Sequence, residues 1–299
     1  MMTRISIAGD IGSGKSTIAR AVAARIGVEP LSTGGIQRQL AATRGINTLE
    51  LNRLAESDPS IDREIDDYLR ALPEGPLVVE SRMAWHFVPG TYRVFLYILP
   101  AAAAERILGA SRSDESYRHV EEAITLLQER RNSEIGRFRK YYGVDISDLR
   151  NYDLIIDTTH IGVDRVVDAI FGAEKCGSKP TTLASPVDLV PTRRLDAAEA
   201  GRLASLGKSM AESGFDHAAP ITVLYVDHTF FIAEGHLRAA AAVRNGLDLV
   251  PCRIAASEDE PFDRGPSARE HVRAASAKSL TSRWEIVVGS RHEHEIGEE

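Results

Sequence analysis

Lys15 and Ser16 close the run Gly9-Asp10-Ile11-Gly12-Ser13-Gly14-Lys15-Ser16, a G-x-x-x-x-G-K-S pattern. Residue types at this spacing suit a polyphosphate. Glycines at 9, 12 and 14 let the backbone curl until successive N–H groups point at one anion. The Lys15 ammonium can reach the outer phosphates, and the Ser16 hydroxyl can complete a Mg²⁺ shell. The flanks agree with that use: Ile5, Ile7 and Ala8 read as a buried strand, and Ile18, Val22 and Ile26 recur at helical spacing. A phosphate held here lies at a helix N-terminus, where unpaired amides and the helix dipole favour it. A Gly-rich turn that merely joins strand to helix would need neither Lys15 nor Ser16.

Other groups able to handle charge stand at the ends of later apolar runs. Ser32-Thr33 follows one, and Glu80-Ser81-Arg82 follows Leu77-Val78-Val79. Glu80 is placed to orient Mg²⁺ waters beside Ser16, which makes these two the metal candidates; a surface ion pair of Glu80 with Arg82 is the alternative. Arg106, Arg112, Arg130, Arg131, Arg137 and Arg139 load one stretch with cations. Arg130 and Arg137 are two helical turns apart and share a face, as a lid closing on polyphosphate requires. The blander reading is a solvated helix laced by pairs such as Arg130 with Glu134. Asp62, Arg63, Asp66 and Asp67 read as a solvated helix face.

These groups need a scaffold, and the apolar pattern supplies one. Short apolar runs at 5–8, 28–31, 77–80, 93–99 and 154–156 read as strands. Helical patterns fall between them, at 36–43, from Asn47, at 60–72, from Pro100 to about 110, at 114–142 and at 163–171. Asp58-Pro59 is a cap and first-turn pair for the helix carrying Ile61, Ile65, Leu69 and Leu72. Strands alternating with helices predict an α/β fold with a five-stranded parallel sheet covered on both faces, whose ligands bind beyond the carboxyl ends of the strands.

Residues 1–172 resemble the compact, archaeal-type cytidylate kinases of the nucleoside monophosphate kinase group. The matching pieces are Gly9 to Ser16, Ser32-Thr33-Gly34-Gly35-Ile36-x-Arg38, Asp58-Pro59-Ser60-Ile61-Asp62-Arg63-Glu64-Ile65-Asp66, Glu80-x-Arg82, the helix around Arg130 and Arg137, and Tyr142-Gly143-Val144-Asp145-Ile146. Ser81 stands where the family usually has Gly, and Gln37 replaces a residue that is commonly aromatic. The resemblance implies a P-loop NTPase fold with a helical lid, and transfer from ATP with Mg²⁺ to a nucleoside monophosphate, CMP or dCMP. It implies ATP binding by Gly9, Gly12, Ser13, Gly14, Lys15, Ser16 and Thr17, and acceptor binding by Ser32, Thr33, Arg38 and Arg82. Lys15, Arg130 and Arg137 are the implied catalytic groups.

At 299 residues the chain has room for two domains. Its net charge of −7 argues against a general nucleic-acid or acidic-membrane binder. No membrane-length apolar run and no room for a signal peptide before the first strand make a cytoplasmic protein the expectation. Residues 173–186 shift to Gly, Ser, Thr, Pro and Ala and read as a linker. In 187–256, a strand at 187–190 and a helix at 197–213 precede a hairpin about Asp227-His228. Glu234-Gly235-His236-Leu237-Arg238 then opens an Ala-rich helix, and a strand at 249–254 follows. This order resembles the ParB/sulfiredoxin superfamily, a small α+β domain, and implies Gly235, His236 and Arg238 as phosphate-binding candidates. A structural cap and ion pair are the alternative for Gly235 and Arg238. Residues 257–299 read as a charged, turn-rich extension; its His292-Glu293-His294-Glu295 end has metal-binding residue types but fits a polar terminus better. Two other readings remain: a kinase of another small metabolite, with the C-terminal domain binding nucleotide or acceptor, and a nucleotide-dependent switch.

Overall fold

The computed structural model describes residues 3–109, 119–176 and 181–277. The chain divides into two compact units, Met1–Pro180 and Thr181–Glu299.

In the first unit the sheet strands are β1 (Arg4–Gly9), β2 (Pro30–Ser32), β3 (Leu77–Glu80), β4 (Tyr92–Tyr97) and β5 (Leu154–Asp157). They lie in the order β2-β3-β1-β4-β5, all parallel, with Ile7 opposite both Glu80 and Val94. Ile5, Ile7, Val78, Val79, Val94, Leu96, Leu154 and Ile156 are each 0% exposed, so the central strands carry apolar residues on both faces. The helices are α1 (Lys15–Ile26), α2 (Thr33–Thr43), α3 (Thr48–Ser57), α4 (Pro59–Arg70), α5 (Ala84–Phe87), α6 (Pro100–Gly109), α7 (Val120–Tyr142) and α8 (Val163–Cys176).

Local chemistry sets the helix starts. Asn47 and Glu50 form a reciprocal capping box on α3, and Asp58 caps α4 with Pro59 in its first turn. The second strand falls at Pro30–Ser32 rather than 28–31, and α2 begins at once because the Ser32 side chain accepts from the Gly35 N–H. Ile65, Leu69, Val79, Met83, Phe87 and Phe138 share one buried cluster, which fixes α7 against α4 and the end of β3. The expected long helix is α7; residues 114–118 of that expectation lie outside the described residues.

The second unit has β6 (Thr181–Ala184), β7 (Val190–Pro191), α9 (Ala200–Ser213), β8 (Ile221–Val226), β9 (Thr229–Glu234), α10 (His236–Arg244), β10 (Val250–Ser257) and α11 (Ala268–Ala277). Its strands run β6-β10-β8-β9-β7, with β10 antiparallel to β6 and parallel to β8. Asp227 and His228 have φ of 47° and 60°, the two left-handed residues of a tight hairpin turn between β8 and β9. Three stretches differ from expectation. The strand expected at 187–190 is instead a turn over 186–188, and only Val190–Pro191 is extended, as β7. Thr181–Ala184 falls in the linker reading yet is a strand: Thr182 and Ala184 alternate inward, 3% and 1% exposed, against β10. The charged extension contains α11, whose Ala268 and Val272 pack with Leu224, Val226 and Ala256. His292-Glu293-His294-Glu295 lies outside the described residues. Among the described residues no helix is long and apolar enough to cross a membrane.

Candidate active site

The loop after β1 turns through positive φ at Gly9, Gly12 and Gly14, of 146°, 85° and 83°. Gly9 is obligatory for space as well: a Cβ there would lie 2.3 Å from the Leu96 carbonyl oxygen of β4. The buried Ser13 hydroxyl donates to the Asp10 carbonyl at 2.8 Å, and the Thr17 and Ile18 N–H groups donate to the Gly14 carbonyl to start α1. Lys15 Nζ donates to the Asp10 carbonyl at 2.5 Å, which lays the ammonium across the mouth of the loop. Burial, with Arg82 nearby, lowers its pKa to about 8, while Glu80, Asp10 and Glu134 oppose that fall. The ammonium therefore stays charged at neutral pH.

Glu80, at the end of β3, gathers the hydroxyls around it. Ser16 donates to its Oε2 at 3.0 Å and Ser32 donates to the same oxygen at 2.6 Å. Thr33 donates to the Glu80 backbone carbonyl at 3.3 Å. Glu80 is 8% exposed, so it is no surface group, and the ion pair that Arg82 makes among the described residues is with a different carboxylate.

That partner is Glu134, on α7. Its Oε2 lies 2.5 Å from Arg82 Nε, and its Oε1 lies 3.3 Å from Arg130 Nε. Burial alone would raise the Glu134 pKa, but Arg82, Arg130, Arg137 and Lys15 outweigh it and hold the carboxyl below its usual range. Arg131 Nε lies 3.6 Å from Asp10 Oδ1 of the loop. Arg137 Nε lies 3.2 Å from Asp62 Oδ2, and the Tyr142 hydroxyl donates to Asp66.

Asp62 and Asp66 thus correct the expectation of a solvated face, since each is 4% exposed. They stand one position beyond Ile61 and Ile65, at the border of the apolar stripe of α4, and α7 closes over both. Burial, the leading cause, raises the pKa of each. The Arg130–Glu134 pair expected of a solvated helix is present, but buried, and Glu134, Asp62, Asp66 and Tyr142 were given no site role by the sequence. The available signal was the i, i+4 spacing of the two aspartates along the stripe and of Glu134 from Arg130.

The remaining candidates separate. Arg38 is exposed on α2, near Gly34, and none of the hydrogen bonds or ion pairs among the described residues joins it to Glu80, Arg82 or Glu134. Arg106 Nη2 donates to the Thr158 and Thr159 carbonyls at 2.5 and 3.0 Å, and Arg139 pairs with Asp145; both lie apart from the cluster. Arg112 is outside the described residues.

In the second unit Gly235 has φ 96° and caps α10, and a Cβ there would meet Arg238 Nη2 at 2.9 Å. The Arg238 guanidinium therefore folds over the turn, with its Nε buried and without a hydrogen-bond partner among the described residues. His236 does not supply the charge expected of it. It is 4% exposed, the Thr192 N–H donates to its Nε2 at 3.2 Å, and burial, with Arg193 nearby, lowers its pKa to about 4.

The model of the cytidylate kinase-like family matches residues 4–160. A cytidylate kinase of Methanothrix thermoacetophila is 41% identical over 155 residues, which are 52% of this chain and 87% of that one. An S-adenosylmethionine-dependent nucleotide dehydratase of Lacinutrix mariniflava is 32% identical over 173 residues, 57% of this chain and 35% of that protein. Among solved structures, the C-terminally truncated chromosome-partitioning protein ParB of Caulobacter crescentus, complexed with CTP-γ-S, gives a TM-score of 0.24 at 23% identity. It covers 35% of this chain and 53% of that one, a likeness too slight to assign a fold to the second unit.

Proposed function

Because the chain belongs to the cytidylate kinase-like family, we propose that its first unit transfers the γ-phosphoryl group of ATP to a nucleoside monophosphate, CMP or dCMP, with Mg²⁺. The observation that carries this reading is that one buried carboxylate, Glu134, contacts Arg82 and Arg130 and is acted on by Arg137 and by Lys15 of the loop at Gly9 to Ser16. Joining two anions requires such a convergence, since phosphoryl transfer draws on positioning and charge neutralisation more than on covalent help. The amides of residues 12–16 and Lys15 hold the donor. Arg82 takes the acceptor phosphate, for which a guanidinium fork suits two oxygens at once; Ser32 and Thr33 line the same strand end. Arg130 and Arg137 stabilise charge on the transferring group. Arg38 reaches the acceptor only after a movement of α2.

Ser16 Oγ and Glu80 Oε2, 3.0 Å apart, are hard oxygen donors of the kind that hold Mg²⁺ with its waters. Bound there, Mg²⁺ neutralises phosphate oxygens. Glu80 orients and the two serines share its oxygen, so the donor set is placed before any ligand arrives.

For the second unit we propose a nucleotide- or phosphate-binding role for the Gly235 turn, as the resemblance of its sequence to the ParB/sulfiredoxin superfamily implies. Support comes from the Arg238 side chain, whose buried Nε has no hydrogen-bond partner among the described residues at the N-terminus of α10. His236 holds the turn rather than the ligand.

One assay decides between acceptors: the full chain with ATP, Mg²⁺ and a panel of nucleoside monophosphates, read by chromatography of products. CDP or dCDP as the dominant product supports the reading. Product from another acceptor class alone, or ATP binding with no product, overturns it.

A further inference from the structure

We propose that Glu134 is a positioning residue for phosphoryl transfer, an ionised carboxylate on α7 that sets the Arg82 and Arg130 guanidiniums side by side above the phosphate loop. The inference rests on the phosphotransferase reading and adds to it a residue that touches neither donor nor acceptor.

Three observations carry it. First, Glu134 engages two arginines from different elements: Arg82, just past β3, at 2.5 Å, and Arg130, one turn earlier on α7, at 3.3 Å. Both contacts are made through Nε, and a contact at Nε fixes the plane of a guanidinium. Second, the Glu134 side chain is 6% exposed, against 21% and 18% for Arg82 and Arg130, so the anion is at the base of the cluster and the cations are nearer its mouth. Without that anion, Arg82 and Arg130 would lose the counter-charge they share, while Arg137 keeps Asp62 and Lys15 keeps Glu80 and Asp10, and like charges crowded in a site of low polarity separate. Third, the helix does not need the carboxylate to stay in place. Phe138 anchors α7 in the same apolar cluster as Val79 and Met83, on either side of Glu80 and Arg82. A buried ion pair is weak evidence for stability, and in some proteins such pairs serve to fix one arrangement of their partners. The carboxylate therefore acts on where the arginines point.

A misplacement of about 1 Å in a transferring group costs on the order of 100-fold in rate, and this sets the size of the effect. Glu134→Gln keeps the volume and hydrogen-bonding capacity of the side chain but removes its charge; Glu134→Asp keeps the charge on a shorter stem. In steady-state assays of the full chain with ATP, Mg²⁺ and CMP, Glu134→Gln lowers kcat by about 100-fold. KM for ATP changes less than about threefold, because the loop amides and Lys15 hold the donor. Glu134→Asp recovers at least about a tenth of the wild-type rate. Thermal melting of each variant separates loss of fold from loss of rate. Equal kcat for wild type and Glu134→Gln overturns the proposal, as does an Asp variant no better than Gln at the same melting temperature. Slow hydrolysis of ATP without acceptor, which calls on the same cations, is read in parallel. A wild type that hydrolyses ATP but phosphorylates no monophosphate defeats the acceptor reading alone, and Glu134 is then judged by the same comparison in hydrolysis.

Discussion

Arg137 and Asp62 meet at 3.2 Å in the interior of the first unit, their side chains 3% and 6% exposed. The contact joins α7 to α4, so it ties the helix bearing Arg130 and Glu134 to the segment between β2 and β3. Breaking one side of a buried pair leaves the other charge uncompensated, at about 3–5 kcal/mol, whereas replacing both by apolar groups is near neutral. Arg137→Met is therefore expected to lower the urea midpoint of the full chain by an amount in that range. The double variant Asp62→Leu with Arg137→Met is expected to recover most of it. Destabilisation of the double variant equal to the sum of the singles would show that the two residues act independently.

Lys15→Ala removes the ammonium that lies across the mouth of the loop after β1. The Asp10 carbonyl it bonds at 2.5 Å can take water in its place, so the fold is expected to persist with unchanged circular dichroism and melting. Removing one preorganised charge from a phosphoryl-transfer site costs on the order of 100- to 1,000-fold in kcat. A coupled ATP assay reads the loss, and wild-type turnover in the variant would refute the site.

The difference between the loop and the arginine cluster marks what a sequence exposes. Residues 9–16 are contiguous, and their types and spacing carry the turn, with its positive φ at Gly9, Gly12 and Gly14, so the loop was legible. The parallel sheet was legible as well, because Leu77 to Val79 and Leu154 to Ile156 form unbroken apolar runs and only Ser6 interrupts Ile5 to Ala8. Ser16 and Ser32 reach Glu80 from 64 and 48 residues away; their meeting follows from the parallel register of β1, β2 and β3, which the pattern predicts only in outline. The partner of Arg82 was not legible at all. It is chosen by the way Phe138 seats α7, and nothing local to Arg82 distinguishes Glu134 from Glu80. Asp62 and Asp66 look like solvated charges until α7 covers them.

Helix α11 escaped notice for a different reason: its inward stripe, Ala268, Val272 and Ala275, is short and flanked by charges. Two forces hold it. Arg269 pairs with Asp227 at 2.7 Å, with Asp259 at 3.1 Å and with Glu258, partners 73%, 81% and 42% exposed, and exposed pairs of this kind contribute less than about 1 kcal/mol each. Val272 is 7% exposed, and trimming it to Ala removes two carbons from a packed site, about 2 kcal/mol with the cavity term. Val272→Ala is thus expected to expose α11 to limited proteolysis more than Arg269→Ala does. The reverse order would mean that the ion pairs, not the apolar stripe, dock the helix.

His236 links the stability of the second unit to pH. The Thr192 N–H donates to Nε2 at 3.2 Å, so the folded ring must keep a lone pair there and remain neutral. Burial first, then Arg193, lowers its pKa to about 4, with Glu199 opposing. In the unfolded chain the ring titrates near 6.5. Between these values the unfolded state binds a proton that the folded state refuses. The contribution is therefore complete above about pH 6.5 and is lost as pH falls toward about 4, in total about 3 kcal/mol. His236→Gln offers Thr192 an acceptor that does not titrate in this range. At pH 7.5 the wild type is expected to resist urea at least as well as the variant. From pH 6.5 down to 4.5 the wild type loses ground steadily relative to it, by about 1.4 kcal/mol per pH unit. Parallel pH profiles for the two proteins would show that the ring is already protonated, or free to be, in the folded unit.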